Sequence, residues 1–426
     1  MKKIFILILC VSLLFMVTAC TGEKTAEKSG SVYWLNFKPE ADSALQDIAK
    51  VYKNKTGVDV KIVTAASGGY NTALISEMDK KNAPTLFVVG NLEALKTWGD
   101  YCYDLSDTEI FKKLNQDIVL YNEDGSVASV GYCYECYGII VNTALLGEAG
   151  YDLSDIKDFA TLKAVADDIH ERRDSLGFDA FTSSGLDSSS SWRFSGHLAN
   201  MPLFYEFRDK NITRQPEEIE GSYLYAYKNI WDLYITDSSL TNTSLATATA
   251  DMATAEFTER KAVFYQNGSW EYNKLKEAGF SDDELAMIPI YCGVPGEENA
   301  GLCSGTENCW AVNKNATDAD IKATLDFMNW MVTSEEGTKC MVEEFGAIPY
   351  DGAPEDENLF IQNAAEYIND GKYSVSWDFN LTPGVEVWRM GVTDALTKYS
   401  AGLSDWAEVE KAFVGGWAKQ YETENQ

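Results

Sequence analysis

The sequence predicts an α/β protein with a mainly parallel sheet, and three observations carry the prediction. Short apolar runs alternate with segments of helical period from residue 32 onward. The segment 41–55 places Leu45, Ile48, Ala49 and Tyr52 on one helical face. Glycine, proline and asparagine stand at the joints between the two kinds of segment, where turns and caps need them.

Taken in order, 32–35 reads as a buried strand and 41–55 as a helix that Gly57 ends. Val58, Val60 and Ile62 alternate with Asp59 and Lys61, as in a strand with one buried face. The stretch "SGGYN" (67–71) makes a turn, and a helix follows to about Lys81. Pro84 precedes the strand "TLFVV" (85–89), and Asn91 caps the next helix. Further strands are expected at 138–141, 262–265 and 309–312. Helices are expected at 159–174, 223–235, 319–333, 358–369, 386–400 and 405–421. Ligands of such sheets bind beyond the carboxyl ends of strands. Those ends are Asn36-Phe37-Lys38, 67–71 and Gly90-Asn91.

The N-terminus is not part of this fold. Lys2 and Lys3 precede an apolar run from Ile4 to Val17, then Thr18-Ala19-Cys20. That order is a secretory signal peptide, and the run is short of the roughly 20 residues of a membrane span. "VTAC" resembles the bacterial lipobox, which implies cleavage before Cys20 and lipid on that residue; an uncleaved anchor is the alternative. Residues 20–31 are small and polar and read as a flexible tether.

The formal charge is -31. A surface so acidic repels phosphate backbones, which disfavours a nucleic-acid partner. Beyond Cys10 and Cys20 lie Cys102, Cys133, Cys136, Cys292, Cys303, Cys309 and Cys340, an odd number. Cys133 and Cys136 form a single C-x-x-C, which could be redox-active or half a zinc site. With only two histidines in the chain, buried free thiols, with one or two disulfides at most, fit better.

Catalytic and cofactor signatures are missing. There is no G-x-G-x-x-G, no P-loop and no G-x-S-x-G, and "HERRD" (170–174) fails H-E-x-x-H at its last position. His197 fits a cleft or a core equally. With 66 acidic residues, carboxylate pairs arise by chance and say little. Aromatic residues are what the chain has in excess, with 11 Trp, 23 Tyr and 19 Phe. Several follow strand ends or turns beside polar residues: Trp192-Arg193, Trp270-Glu271, Trp310 and Trp377-Asp378. A ring can cover the C–H face of a sugar while carboxylates, amides or arginine take its hydroxyl rim; taken singly, each tryptophan fits the core better than a cleft.

Six segments, in order, resemble the bacterial extracellular solute-binding proteins of ABC importers, in the carbohydrate group that includes maltodextrin-binding protein. They are "VYWLNFKPEADSALQDIAKVYKNKTGVDVKI", "KNAPTLFVVGNLEAL", "GYCYECYGIIVNTALL", "KAVFYQNGSWEYNKL", the segment from "SGTENCWAVNK" through "EEFGAIP", and "PGVEVWRMGVTDAL". Where the family's first crossing often has a proline, this chain has Cys133. The resemblance implies a two-lobed, type II periplasmic-binding-protein-like fold, with hinge strands and a ligand cleft between the lobes. It places the first lobe at 32–138 plus 310–350, the second at 142–305 plus 356–426, and the crossings at 139–141 and 306–309.

It also implies site residues. Glu135 matches a sugar-contacting carboxylate, Trp270 a stacking ring and Trp388 a late cleft aromatic; Asn36, Lys38 and Asn91 match polar loop positions. Position at strand ends or turns adds Tyr70, Trp192, Arg193, Glu307, Trp377 and Asp378. The implied protein is a monomer without cofactor or metal, held by lipid on Cys20 at the outer face of the cytoplasmic membrane. Its partners would be a carbohydrate and an ABC permease. A glycoside-processing enzyme and a ligand-presenting subunit for a membrane kinase are the alternatives.

Overall fold

A computed structural model of the protein describes residues 30–66, 68–115 and 118–425; the signal segment and Cys20 lie outside the described residues. Within them are the strands β1 (Val32–Asn36), β2 (Val60–Thr64), β3 (Leu86–Val88), β4 (Val119–Tyr121), β5 (Val127–Gly131), β6 (Glu135–Asn142), β7 (Asp179–Phe181), β8 (Ala262–Gly268), β9 (Leu285–Ile288), β10 (Ala300–Gly305), β11 (Cys309–Val312) and β12 (Tyr373–Ser376).

They form two six-stranded sheets, one per lobe. The first runs β2-β1-β3-β11-β5-β4, and the second runs β12-β10-β6-β8-β7 with β9 beside β6. β1 is parallel to β2 and β3, as strand–helix alternation predicts. The sheets are mixed rather than mainly parallel. The strands that carry the chain between lobes, β5, β6, β10 and β11, lie antiparallel to neighbours in their own sheets.

The local chemistry is as the sequence predicts. The helix Asp42–Thr56 buries Leu45, Ile48, Ala49 and Tyr52, and stops at Gly57, whose φ of 76° suits glycine. Helices stand at Phe159–Leu176, Leu224–Thr236, Asp318–Met331, Leu359–Asn369 and Val385–Ser400. The final helix is interrupted: Trp406–Glu410 and Gly416–Glu424 flank a π-helical turn at Lys411–Gly415.

Each lobe has its own core. Trp34 and Trp310, both fully buried with centroids 5.5 Å apart, centre the first. Trp231, Trp388 and Trp417 anchor the second. Each such ring contributes roughly 1.5–3 kcal/mol or more through burial alone, so neither lobe depends on the other for its core.

The crossings differ from the sequence expectation. Residues 139–141 are the middle of β6, which pairs along its length with β8 and β9 in the second sheet. The chain instead passes between sheets at 132–134, between β5 and β6, so 135–138 belong to the second lobe. It returns at 306–308, and Cys309 already lies in β11. The apolar run of β6 is a buried central strand, and the break in the ladder comes just before it. The two crossings touch: the Tyr132 backbone N–H donates to the Asn308 carbonyl at 2.9 Å.

Candidate functional site

The second lobe carries an aromatic cluster at strand ends. Trp270 lies in a short turn (Ser269–Glu271) straight after β8, over Gly268; a Cβ on Gly268 would come 2.2 Å from the indole. Trp377 follows β12 and lies against Gly305 at the end of β10, where a Cβ would meet the ring at 2.6 Å. Both platforms therefore need a glycine beneath them. The π-helix Arg193–Leu198 brings Trp192 and His197 to the same place. His197 stacks on Tyr137 at 3.9 Å with planes 5° apart. Its ring centre is 5.0 Å from that of Trp192, 5.4 Å from Trp270 and 5.9 Å from Trp377. Trp192 and Trp270 stay partly exposed, while Trp377 and His197 are buried. π-Helical turns often occur at functional sites, because the extra residue re-aims side chains.

The first lobe reaches this cluster through Lys38, just beyond β1. Its Nζ lies 4.9 Å from the Trp270 ring centre, a cation–π distance. The same Nζ donates to both Glu135 oxygens, at 2.8 and 3.0 Å, and Glu40 stands 3.7 Å away. Asn308 donates to Glu135 Oε2 at 2.6 Å, and Tyr132 donates to Asn308 Oδ1 at 3.2 Å. A hydrogen-bonded chain thus runs from the cleft lysine into both crossings. Burial lowers the Lys38 pKa, but Glu135 and Glu40 outweigh it and hold the ammonium above its usual range. Burial lifts the Glu135 carboxyl, and Lys38 and Asn308 oppose that rise.

The remaining predicted residues divide. Asn91 caps the helix Leu92–Trp98 and donates to Glu307 Oε1 at 3.0 Å, so these two meet at the edge of the first lobe near the return crossing. Asp378 accepts from Ser376 at 2.7 Å, and burial raises its pKa. Three others serve the protein's own backbone. Asn36 donates to the Lys38 carbonyl at 2.6 Å and accepts from the Lys38 N–H at 3.0 Å, which shapes the loop that carries Lys38. The Tyr70 hydroxyl accepts from Val88 N–H at 2.7 Å. Arg193 is buried and donates to the Gln266 carbonyl at 2.9 Å and to Ser190 Oγ at 3.0 Å. Both oxygens of Glu135 are likewise taken by protein donors.

Trp388 does not join the cluster. It is 2% exposed, donates to the Phe413 carbonyl at 2.8 Å and packs on Phe413 and Trp417 in the core. Its neighbour Arg389 points to the cluster instead, with its guanidinium 5.2 Å from the Phe379 ring centre and against Gly196. Trp310, another strand-end tryptophan, is core of the first lobe.

Two groups in this region have electrostatics the sequence does not suggest. Burial, with help from Arg389, Lys38 and Arg193, holds the His197 pKa well below its usual value, so the ring is neutral. Burial lifts the Glu271 carboxyl to about 7, and its Oε2 has no hydrogen-bond partner among the described residues. No group of three metal-ligating side chains is found among the described residues. The seven cysteines described are buried and unpaired, and burial raises the thiols of Cys102, Cys309 and Cys340 to about 12. Rings, amides and one bridging ammonium between two lobes can bind a ligand over two faces.

The family model for bacterial extracellular solute-binding proteins matches residues 47–365. The chain belongs to that family. Among solved structures it is similar to the solute-binding protein RafE in complex with raffinose, at TM-score 0.71 and 15% identity over 92% of this chain and 99% of that one. It is also similar to the GacH receptor of Streptomyces glaucescens, solved unliganded and with acarbose. That match has TM-score 0.70 and 16% identity, and covers 93% of this chain and 99% of that one. A sugar transporter protein of Bacillus licheniformis in complex with stachyose matches at TM-score 0.70 and 17% identity, over 92% and 99% of the two chains. At these identities the likeness shows the fold, the two-lobed type II arrangement of periplasmic binding proteins. As an extracellular solute-binding protein the chain is built to bind, and no helix among its described residues is long and apolar enough to cross a membrane.

Proposed function

We propose that this solute-binding protein captures a carbohydrate, an oligosaccharide, between its lobes and delivers it to an ABC permease. The observation that carries the proposal is the cluster of Trp192, His197, Trp270 and Trp377, assembled from three separate segments of the second lobe and met by Lys38 of the first. A core has no need of a partly exposed tryptophan laid over a strand-end glycine, as Trp270 is over Gly268. A sugar does, because its C–H faces stack on rings and its hydroxyls need polar partners at the edges. Those partners are Lys38, Asp378 and Arg389, with Asn91 and Glu307 at the edge of the first lobe. The structures bound to raffinose, stachyose and acarbose support the ligand class.

The mechanism follows from the two faces. Sugar on the tryptophan platform completes its hydrogen bonds only when the first lobe closes over it. The ligand therefore prefers the closed state and shifts the population toward it. Permease docking of that closed form, and a lipid on Cys20 that keeps the protein at the membrane, complete the delivery.

A thermal-shift screen over neutral oligosaccharides, followed by calorimetry on each hit, tests the proposal. The expected result is a raised melting temperature and one ligand per chain, with the recovered sugar intact. Shorter sugars formed over repeated turnovers would instead assign an enzyme, and a panel without hits would remove the carbohydrate.

A further inference from the structure

The lobes also touch outside the aromatic cluster. The helix Leu92–Trp98 belongs to the first lobe, where Ala94, Leu95 and Trp98 pack on its core. One turn of this helix presents Glu93 and Lys96 to the second lobe. Glu93 Oε2 accepts from the backbone N–H of Glu386 at 3.4 Å. Glu386 stands in the first turn of Val385–Ser400, and Gly384, the capping residue, supplies no side-chain cap. A carboxylate from one lobe thus serves a helix of the other as an N-cap side chain serves its own helix. Lys96 Nζ donates to Gln215 Oε1 at 3.1 Å and pairs with Glu424. Both acceptors are held in place by the second lobe. Gln215 Nε2 donates to the Leu381 carbonyl at 3.0 Å, and Glu424 accepts the Gly384 N–H.

We infer that Glu93 and Lys96 are positioning residues for ligand binding, forming an interlobe clasp that sets the closed fraction of the protein. The inference rests on the reading of lobe closure around a sugar. The clasp touches no member of the aromatic cluster, so its effect on affinity passes through the closed population alone. Apparent affinity scales with the fraction of molecules in the binding-competent state. The clasp charges are partly solvated, with the Lys96 side chain 43% exposed, so salt screens them. Binding of a neutral sugar thereby acquires a salt dependence that stacking alone does not give it.

The test labels the full chain at Ile75→Cys and Leu403→Cys, positions 62% and 79% exposed on the first and second lobes. Interlobe distances are measured by electron–electron resonance, without sugar and with saturating raffinose, stachyose, maltotriose or xylotriose. In the sugar-free protein Lys96→Met and Glu93→Ala shift the distribution to longer distances, while Lys96→Arg leaves it in place. Calorimetry with whichever of the four sugars binds shows about a two- to fivefold loss for each single variant and about tenfold for the double. Raising salt from about 50 to 500 mM weakens the unsubstituted protein but not the double variant. Unchanged distances and affinity in the double variant overturn the clasp. Longer distances in a protein that binds none of the four sugars uphold the clasp and count against the carbohydrate, so the two failures are told apart.

Discussion

Trp270→Ala separates a ligand platform from a packing residue. In the folded protein the ring makes one hydrogen bond, from Nε1 to Asn267 Oδ1 at 2.8 Å, and one cation–π contact with Lys38 at 4.9 Å. Asn267 Oδ1 keeps a second donor, the Gly268 N–H at 3.0 Å, so it is not orphaned by the substitution. The polar part of the structural loss is therefore about 1 kcal/mol for the hydrogen bond and about 0.5–1 kcal/mol for the cation–π contact, to which the ring contacts with Trp192 and His197 add. Because the ring is partly exposed, the total stays toward the lower end of the roughly 3–5 kcal/mol of a core Trp→Ala. The loss in binding is about 1–3 kcal/mol for a stacking ring, or roughly fivefold to more than a hundredfold in Kd. Calorimetric titration and urea unfolding of the same variant read the two quantities. Near-normal affinity together with a collapsed unfolding midpoint would refute the placement of Trp270 as a platform.

Four further outcomes are expected. Trp388→Ala costs about 3–5 kcal/mol in urea unfolding and leaves the affinity of the folded fraction unchanged, because Trp388 is core. Lys38→Met leaves the Glu135 carboxylate buried without its cation and costs about 3–5 kcal/mol near pH 7.5. Glu135, raised by burial, then favours the protonated form in the folded state. The variant is accordingly most stable below the ordinary carboxylate range and weakens as pH rises, and Lys38→Met combined with Glu135→Gln recovers stability at pH 7.5. Glu271, raised to about 7, binds its proton more tightly folded than unfolded. Its contribution is present below the ordinary carboxylate pKa of about 4.3 and is lost as pH rises through about 7, so Glu271→Gln flattens that part of the stability profile. Finally, the seven described cysteines react with a maleimide only after denaturation, and mass spectrometry counting modified thiols before and after urea checks it.

Periodicity and turn chemistry made the first lobe readable. β1, β2, β3 and the helix at 42–56 have branched or aromatic strand residues, a clean apolar helical face and a terminal glycine. Strands such as β5 ("VASVG"), β10 ("AGLCSG") and β12 ("YSVS") carry small residues and are defined by their neighbours in the sheet, so local pattern did not reveal them. The helix Asn200–Lys210 has Pro202 near its start and apolar residues all round, which hides the helical period.

The site was legible in part, for a geometric reason. Trp270, Trp192 and Trp377 stand at strand ends or turns, and position there limits where a side chain can go. On the helix Val385–Ser400 one residue is a turn of about 100°; sequence places Trp388 and Arg389 on that helix without saying which faces the cleft. His197 was undecidable because its role depends on the π-helix, which no periodicity announces. Lys38 and Glu135 were readable as charged cleft residues but not as each other's partners, since 97 positions separate them.

Lobe closure around a sugar is tested most directly by small-angle X-ray scattering of the purified protein, without ligand and with a saturating oligosaccharide that calorimetry has shown to bind. The expected result is a smaller radius of gyration in the saturated protein, and no such change for Trp270→Ala at the sugar concentration that saturates the unsubstituted chain. An oligosaccharide that binds one to one while the radius of gyration stays the same would contradict capture by closure.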